Sequence, residues 1–164
     1  MENTITLNDG GILAYAQYGD PCGVPVFLFH GIPGSRVFHP PDEITAKMGV
    51  RLITVDRPGY GLSTFQPNRR IPDWPDDIVQ LADSLGIGNF AVAGHSGGAP
   101  YVLACAYKIP QRLTAAVVLS GAGPLEALES TSNMEPLYRL GFKMGRFIPW
   151  PLWRLLIWFF FHSG

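Results

Sequence analysis

Short apolar runs alternate along this chain with segments of helical period, and that alternation limits the fold more than any single residue does. Val26-Phe27-Leu28-Phe29, introduced by Pro25, is the continuous apolar sequence that a strand buried on both faces requires. Arg51–Val55, Phe90–Ala93 and Ala115–Leu119 read as further strands. Helices fall between them. One is expected from about Pro41 to Met48, with Asp42 and Glu43 in its first turn and Gly49 as its stop. Asp73-Trp74-Pro75 opens a second, in which Ile78, Leu81, Ala82 and Leu85 recur on one face before Gly86. Gly98–Lys108, ended by Pro110, is the third. Ahead of all these, Thr4–Asn8 and Ile12–Tyr18 flank Asp9-Gly10-Gly11 as a hairpin. The pattern predicts an α/β fold with a mostly parallel, doubly wound sheet and right-handed crossovers. Ligands in such sheets collect outside the carboxyl ends of the strands. Three segments leave those ends with unusual chemistry: His30–Arg36, Asp56–Ser63 and Gly94–Gly98.

Composition narrows the class further. A length of 164 residues suits one domain, expected to have its core at about 4–123 and a lid-like helical segment at about 124–164. With 47% hydrophobic and 15% charged residues the chain is too apolar for disorder. Twelve Lys plus Arg against thirteen Asp plus Glu leave no basic stripe for phosphates, so nucleic acid is not an expected partner. Cys22 and Cys105 make neither a disulfide framework nor a metal-ligand set, and no metal or other cofactor is expected. Gly59-Tyr60-Gly61 lacks the third glycine of a dinucleotide fingerprint, and Arg69-Arg70 reads as a solvated pair. Met1-Glu2-Asn3-Thr4 has no secretory character, which makes the cytoplasm the expected setting. Phe147–Phe161 holds seven aromatic residues but also Pro149, Pro151 and Arg154. It falls short of the ~20 apolar residues of a spanning helix. A helix buried against other protein is expected there, with association at a membrane surface as the alternative.

Gly94-His95-Ser96-Gly97-Gly98 lies between a strand and a helix. Glycines on both sides of Ser96 remove the Cβ groups that would clash in a sharp strand-to-helix turn, and such a turn presents the serine hydroxyl at the sheet edge. The helix amino terminus behind it offers unpaired N–H groups to developing negative charge. Ser96 is therefore the candidate nucleophile; the alternative is a serine in an ordinary glycine-rich turn. Acyl transfer also needs donors for an oxyanion. Gly97 supplies one backbone N–H, and His30-Gly31-Ile32-Pro33-Gly34 can double back so that the Ile32 amide faces the same site.

Together these segments resemble the first part of an α/β-hydrolase of the group with a His-Gly-x-Pro-Gly loop. The resemblance covers about residues 4–123 and rests on His30–Gly34, on Val55-Asp56-Arg57-Pro58-Gly59-Tyr60-Gly61-Leu62-Ser63 and on Gly94–Gly98. It implies Ser96 as nucleophile and the Ile32 and Gly97 amides as the oxyanion hole. It also implies that His30, Gly31, Gly34, Asp56, Ser63, Gly94 and Gly98 shape the loops. Proline-peptidase relatives usually carry a Gly-Gly-Pro-Gly loop, and this chain departs from that form. Serine rather than aspartate at 96 argues for acyl chemistry, or a non-hydrolytic relative with serine at that position, over dehalogenation or epoxide opening.

The family order is serine, then an acid, then histidine. By that order the sheet is expected to be incomplete on its carboxyl-terminal side, with the triad acid and histidine missing. His95 should project away from the Ser96 hydroxyl, and His39 suits packing or the surface. His162 follows Ser96 but comes after an aromatic run, which leaves it a poor candidate base. Glu126 and Glu129 sit late in a loop and suit solvent. The expectation is a serine-hydrolase-type domain for a small-molecule ester, amide or related acyl substrate, nearly inactive by itself because its serine lacks a base. The alternative is a truncated, inactive relative or one half of a split protein, self-associating or binding a complementing carboxyl-terminal half.

Overall fold

The protein was analysed as a computed structural model, which describes residues 3–121 and Leu152. Two compact units divide the chain, Met1–Gly123 and Pro124–Gly164, and the first carries everything below. Glu126, Glu129, His162 and the expected aromatic helix lie outside the described residues.

Six strands form one sheet: β1 (Asn3–Thr6), β2 (Ile12–Gly19), β3 (Val24–Phe29), β4 (Val50–Val55), β5 (Phe90–His95) and β6 (Leu113–Leu119). Their spatial order is β1-β2-β4-β3-β5-β6. The last four run parallel, and the amino-terminal hairpin joins them antiparallel through β2 and β4. The helices are α1 (Asp42–Lys47), α2 (Trp74–Ser84) and α3 (Ala99–Lys108). This is the expected mostly parallel α/β sheet. α1 and α2 each end two residues before a glycine of positive φ, Gly49 at +64° and Gly86 at +69°.

Strand alternation sorts the core into two faces. Phe27, Phe29, Ile53, Val55, Phe90 and Val92 join the inward side of α2 and α3, centred on the fully buried Trp74, Ile78 and Leu81. The Trp74 ring stands edge-on to Phe29 at 5.3 Å and to Tyr101 at 5.6 Å between centroids. Leu28, Leu52 and Thr54, at alternate positions, are buried on the other face. β6 differs from its neighbours: every residue from Thr114 to Leu119 is exposed.

Arg69 corrects the solvated reading of Arg69-Arg70. Its guanidinium pairs with the Asp77 carboxylate and donates to Gln66 Oε1 at 2.5 Å and to the Asp73 carbonyl at 3.0 Å. Asp77 is buried on α2, and burial pushes its carboxyl above the usual range while Arg69 pulls the other way. A carboxylate drawn inside by its helix needs a counter-charge, and Arg69 supplies it. Arg70 alone remains exposed, 3.2 Å from Asp73.

Candidate active site

The turn between β5 and α3 sets the site. Ser96 lies at φ +50°, the left-handed region that costs a residue with a Cβ, and opens a single 3₁₀ turn, Ser96–Gly98. The flanking glycines are required by contact. A Cβ on Gly94 would come within 2.6 Å of Val102 Cγ2, and one on Gly98 within 2.2 Å of the Phe29 carbonyl oxygen. Close approach to β3 therefore fixes the sharpness of the turn and leaves Ser96 half-buried at its tip.

The loop after β3 folds directly over this turn. A Cβ placed on Gly31 would lie 3.2 Å from Ser96 Cβ, and one on Gly97 would lie 3.5 Å from the Ile32 nitrogen and 3.1 Å from Ile32 Cγ1. The structure thus brings Ser96, Ile32 and Gly97 together. His30 is buried beneath them. Its ring Nδ1 pairs with the Gly31 carbonyl at 2.8 Å, and Nε2 accepts the Arg57 N–H at 3.2 Å. That pattern fits a neutral ring protonated on Nδ1. Burial holds the His30 pKa below its ordinary value, and the Arg57 charge acts in the same direction. Gly34 closes the loop against His30, where a Cβ would meet ring Nδ1 at 3.1 Å.

Asp56, at the end of β4, is fully buried and ties two loops together. Its carboxylate accepts the Arg36 backbone N–H and the Arg36 guanidinium, each at 2.6 Å, and the Leu62 N–H at 3.1 Å. The Ser63 hydroxyl donates to the Asp56 carbonyl at 2.8 Å and accepts the Ala14 N–H at 3.0 Å. His95 stacks on Phe38 at 5.5 Å, and His39 stacks on Tyr18 at 3.5 Å. Among the described residues no histidine is hydrogen-bonded to Ser96, and no cluster of His, Cys, Asp and Glu could hold a metal.

Arg57 is the residue that sequence reasoning passed over. It is buried, and its guanidinium donates to the Gly31 carbonyl at 2.9 Å and to the Gly97 carbonyl at 3.2 Å. Tyr60 and Tyr101 flank it, with ring centroids 4.7 Å and 4.9 Å away. Its adjacency to Asp56 was the available signal, but its acceptors are backbone carbonyls of glycines, which leave no trace in a sequence.

Comparison with known proteins agrees with the fold. The family model described as "alpha/beta hydrolase fold" matches residues 24–155, and the chain belongs to that family. It is 35% identical over 123 residues to a proline iminopeptidase from Xylella fastidiosa, a match covering 70% of this chain and 37% of the relative. It is 30% identical over 138 residues to a non-heme chloroperoxidase from Streptomyces lividans, covering 79% and 48%. Among solved structures it is similar to a thermophilic esterase from Thermogutta terrifontis, with TM-score 0.62, 27% identity and coverage of 77% and 48%. The chain thus spans less than half the length of these relatives.

Proposed function

We propose that this chain carries the nucleophile and the oxyanion donors of a serine hydrolase acting on small-molecule esters, amides or related acyl groups. Ser96 Oγ bonds to the carbonyl carbon as the C=O pair moves onto oxygen, where the Ile32 and Gly97 N–H groups receive it. The hydroxyl proton passes to water, which makes the step slow. Each such donor is worth about 3 kcal/mol in the transition state. The observation that carries the reading is the placement of the Ile32 nitrogen beside Gly97, over a serine held at positive φ. Esterase and iminopeptidase relatives support acyl chemistry and do not select between esters and amides. An exposed Cys22 and a free, buried Cys105, whose thiol burial pushes up to about 12, suit a reducing cytoplasmic setting. No helix among the described residues is long and apolar enough to cross a membrane.

A fluorophosphonate probe tests the reading. Slow labelling confined to Ser96, and abolished in Ser96→Ala, is expected. Rapid stoichiometric labelling would bring a base into the account, with His162 the first to examine. Labelling of Ser96→Ala at the parent rate would overturn the assignment.

A second reading is favoured by β6. Its exposed apolar residues at the sheet edge suit a chain that works with a complementing polypeptide or self-associates. Concentration-dependent association in light scattering is its expected mark. A clean monomer without detergent at all concentrations would remove it.

A further inference from the structure

We propose that Arg57 is the positioning residue of the oxyanion site, a role that rests on the reading of Ser96, Ile32 and Gly97 given above. Each hydrogen bond grips a particular peptide. The Gly31 carbonyl and the Ile32 N–H are the two ends of one trans peptide, so they point in opposite directions. Holding the carbonyl on one side fixes the direction of the amide on the other. The Gly31 carbonyl is held twice, by His30 Nδ1 at 2.8 Å and by Arg57 Nη2 at 2.9 Å. A bond from a guanidinium is charge-assisted, and it polarises the peptide so that its N–H becomes a better donor. The other arm of the guanidinium donates to the Gly97 carbonyl at 3.2 Å. One planar group therefore sets the spacing between the loop that carries the Ile32 amide and the turn that carries the Gly97 amide.

The surroundings suit a fixed strut. Arg57 is 2% exposed, and aromatic rings face its guanidinium from Tyr60 and Tyr101. Its own backbone N–H donates to His30 Nε2, which selects the histidine tautomer that grips Gly31 from the second side. Asp56, next in the chain, spends its carboxylate on Arg36 and Leu62. Lysine cannot reproduce the fork, because a single ammonium lacks two coplanar donors at fixed separation.

The test measures fluorophosphonate labelling of Ser96 in the full chain, resolved into reversible binding and the covalent step, together with hydrogen exchange of residues 30–36. For Arg57→Met the covalent rate should fall by about tenfold or more with reversible binding little changed, as expected for misplaced donors. Exchange across 30–36 should quicken while the strand cores keep their protection. Arg57→Lys, which keeps the charge and protects against a simple failure to fold, should lose about fivefold. Parent-like covalent rates in both variants would overturn the proposal, and so would unchanged exchange across 30–36. Failure of the parent chain to label at Ser96 would instead remove the functional reading. The exchange comparison alone would then decide whether Arg57 holds the loop, an unchanged result again overturning it.

Discussion

β5 and β6 are paired in parallel from Phe90 beside Leu113 to His95 beside Leu119, and both are mostly apolar. Their environments diverge at once. Phe90 and Val92 are fully buried, whereas Val117, Val118 and Leu119 are each more than 40% exposed. Each strand ends in a serine in the left-handed region, Ser96 at φ +50° and Ser120 at φ +47°. Among the described residues only the first is enclosed, with the β3 backbone below it and the His30–Gly34 loop above. The difference teaches that a strained serine becomes a candidate site only through what closes over it. An apolar run likewise specifies a strand without specifying what covers that strand.

Glycine substitution breaks the comparison most sharply. In Gly98→Ala the new Cβ meets the Phe29 carbonyl oxygen at 2.2 Å, a backbone atom that cannot move without displacing β3. A loss of about 3 kcal/mol or more is expected, or failure to fold. Gly121→Ala, after β6, brings its Cβ within 2.5 Å of Val118 Cγ1 and 2.6 Å of Ala99 Cβ, side-chain atoms rather than backbone, and should cost less, about 2 kcal/mol. Urea unfolding distinguishes them. The strands themselves come next: Val92→Ala should lose about 2 kcal/mol as a core cavity, and Val117→Ala less than about 0.5 kcal/mol.

Acid separates the two strand ends as well. His30 is held neutral beneath the Ser96 turn, with a pKa below its unfolded value. The unfolded chain therefore binds the proton first as pH falls. The stability that His30 contributes is complete above about pH 6.5 and declines as the pH drops towards its lower folded pKa. Melting temperatures measured across that range should fall in the parent and fall less in His30→Gln. An equal fall in both would deny His30 its buried neutral role. Opposite in sign, Ser96→Gly and Ser120→Gly should each gain roughly 0.5–1 kcal/mol by relieving positive φ. Only Ser96→Gly should lose the labelling.

Much of this was legible because glycine and serine positions carry geometric meaning. Gly94, Ser96, Gly97 and Gly98 announce a turn that only they can make, and Gly49 and Gly86 mark helix ends that the structure places within a residue or two. The apolar runs located all four parallel strands for the same kind of reason. What stayed hidden depends on partners distant in sequence or lacking side chains. Arg57 grips two glycine carbonyls, 26 and 40 residues away. Arg69 reads as surface charge until α2 turns Asp77 inward beside it. The exposed β6, by contrast, is the open edge expected of a sheet incomplete on its carboxyl-terminal side.

The central claim is that the loops after β3 and β5 together receive an oxyanion over Ser96, and a crystal structure of the phosphonylated chain tests it most directly. The account predicts phosphorus on Ser96 Oγ and a phosphoryl oxygen within about 3 Å of both the Ile32 and the Gly97 nitrogen. An adduct on Ser96 whose phosphoryl oxygen points to solvent, or an adduct on any other residue, would contradict it.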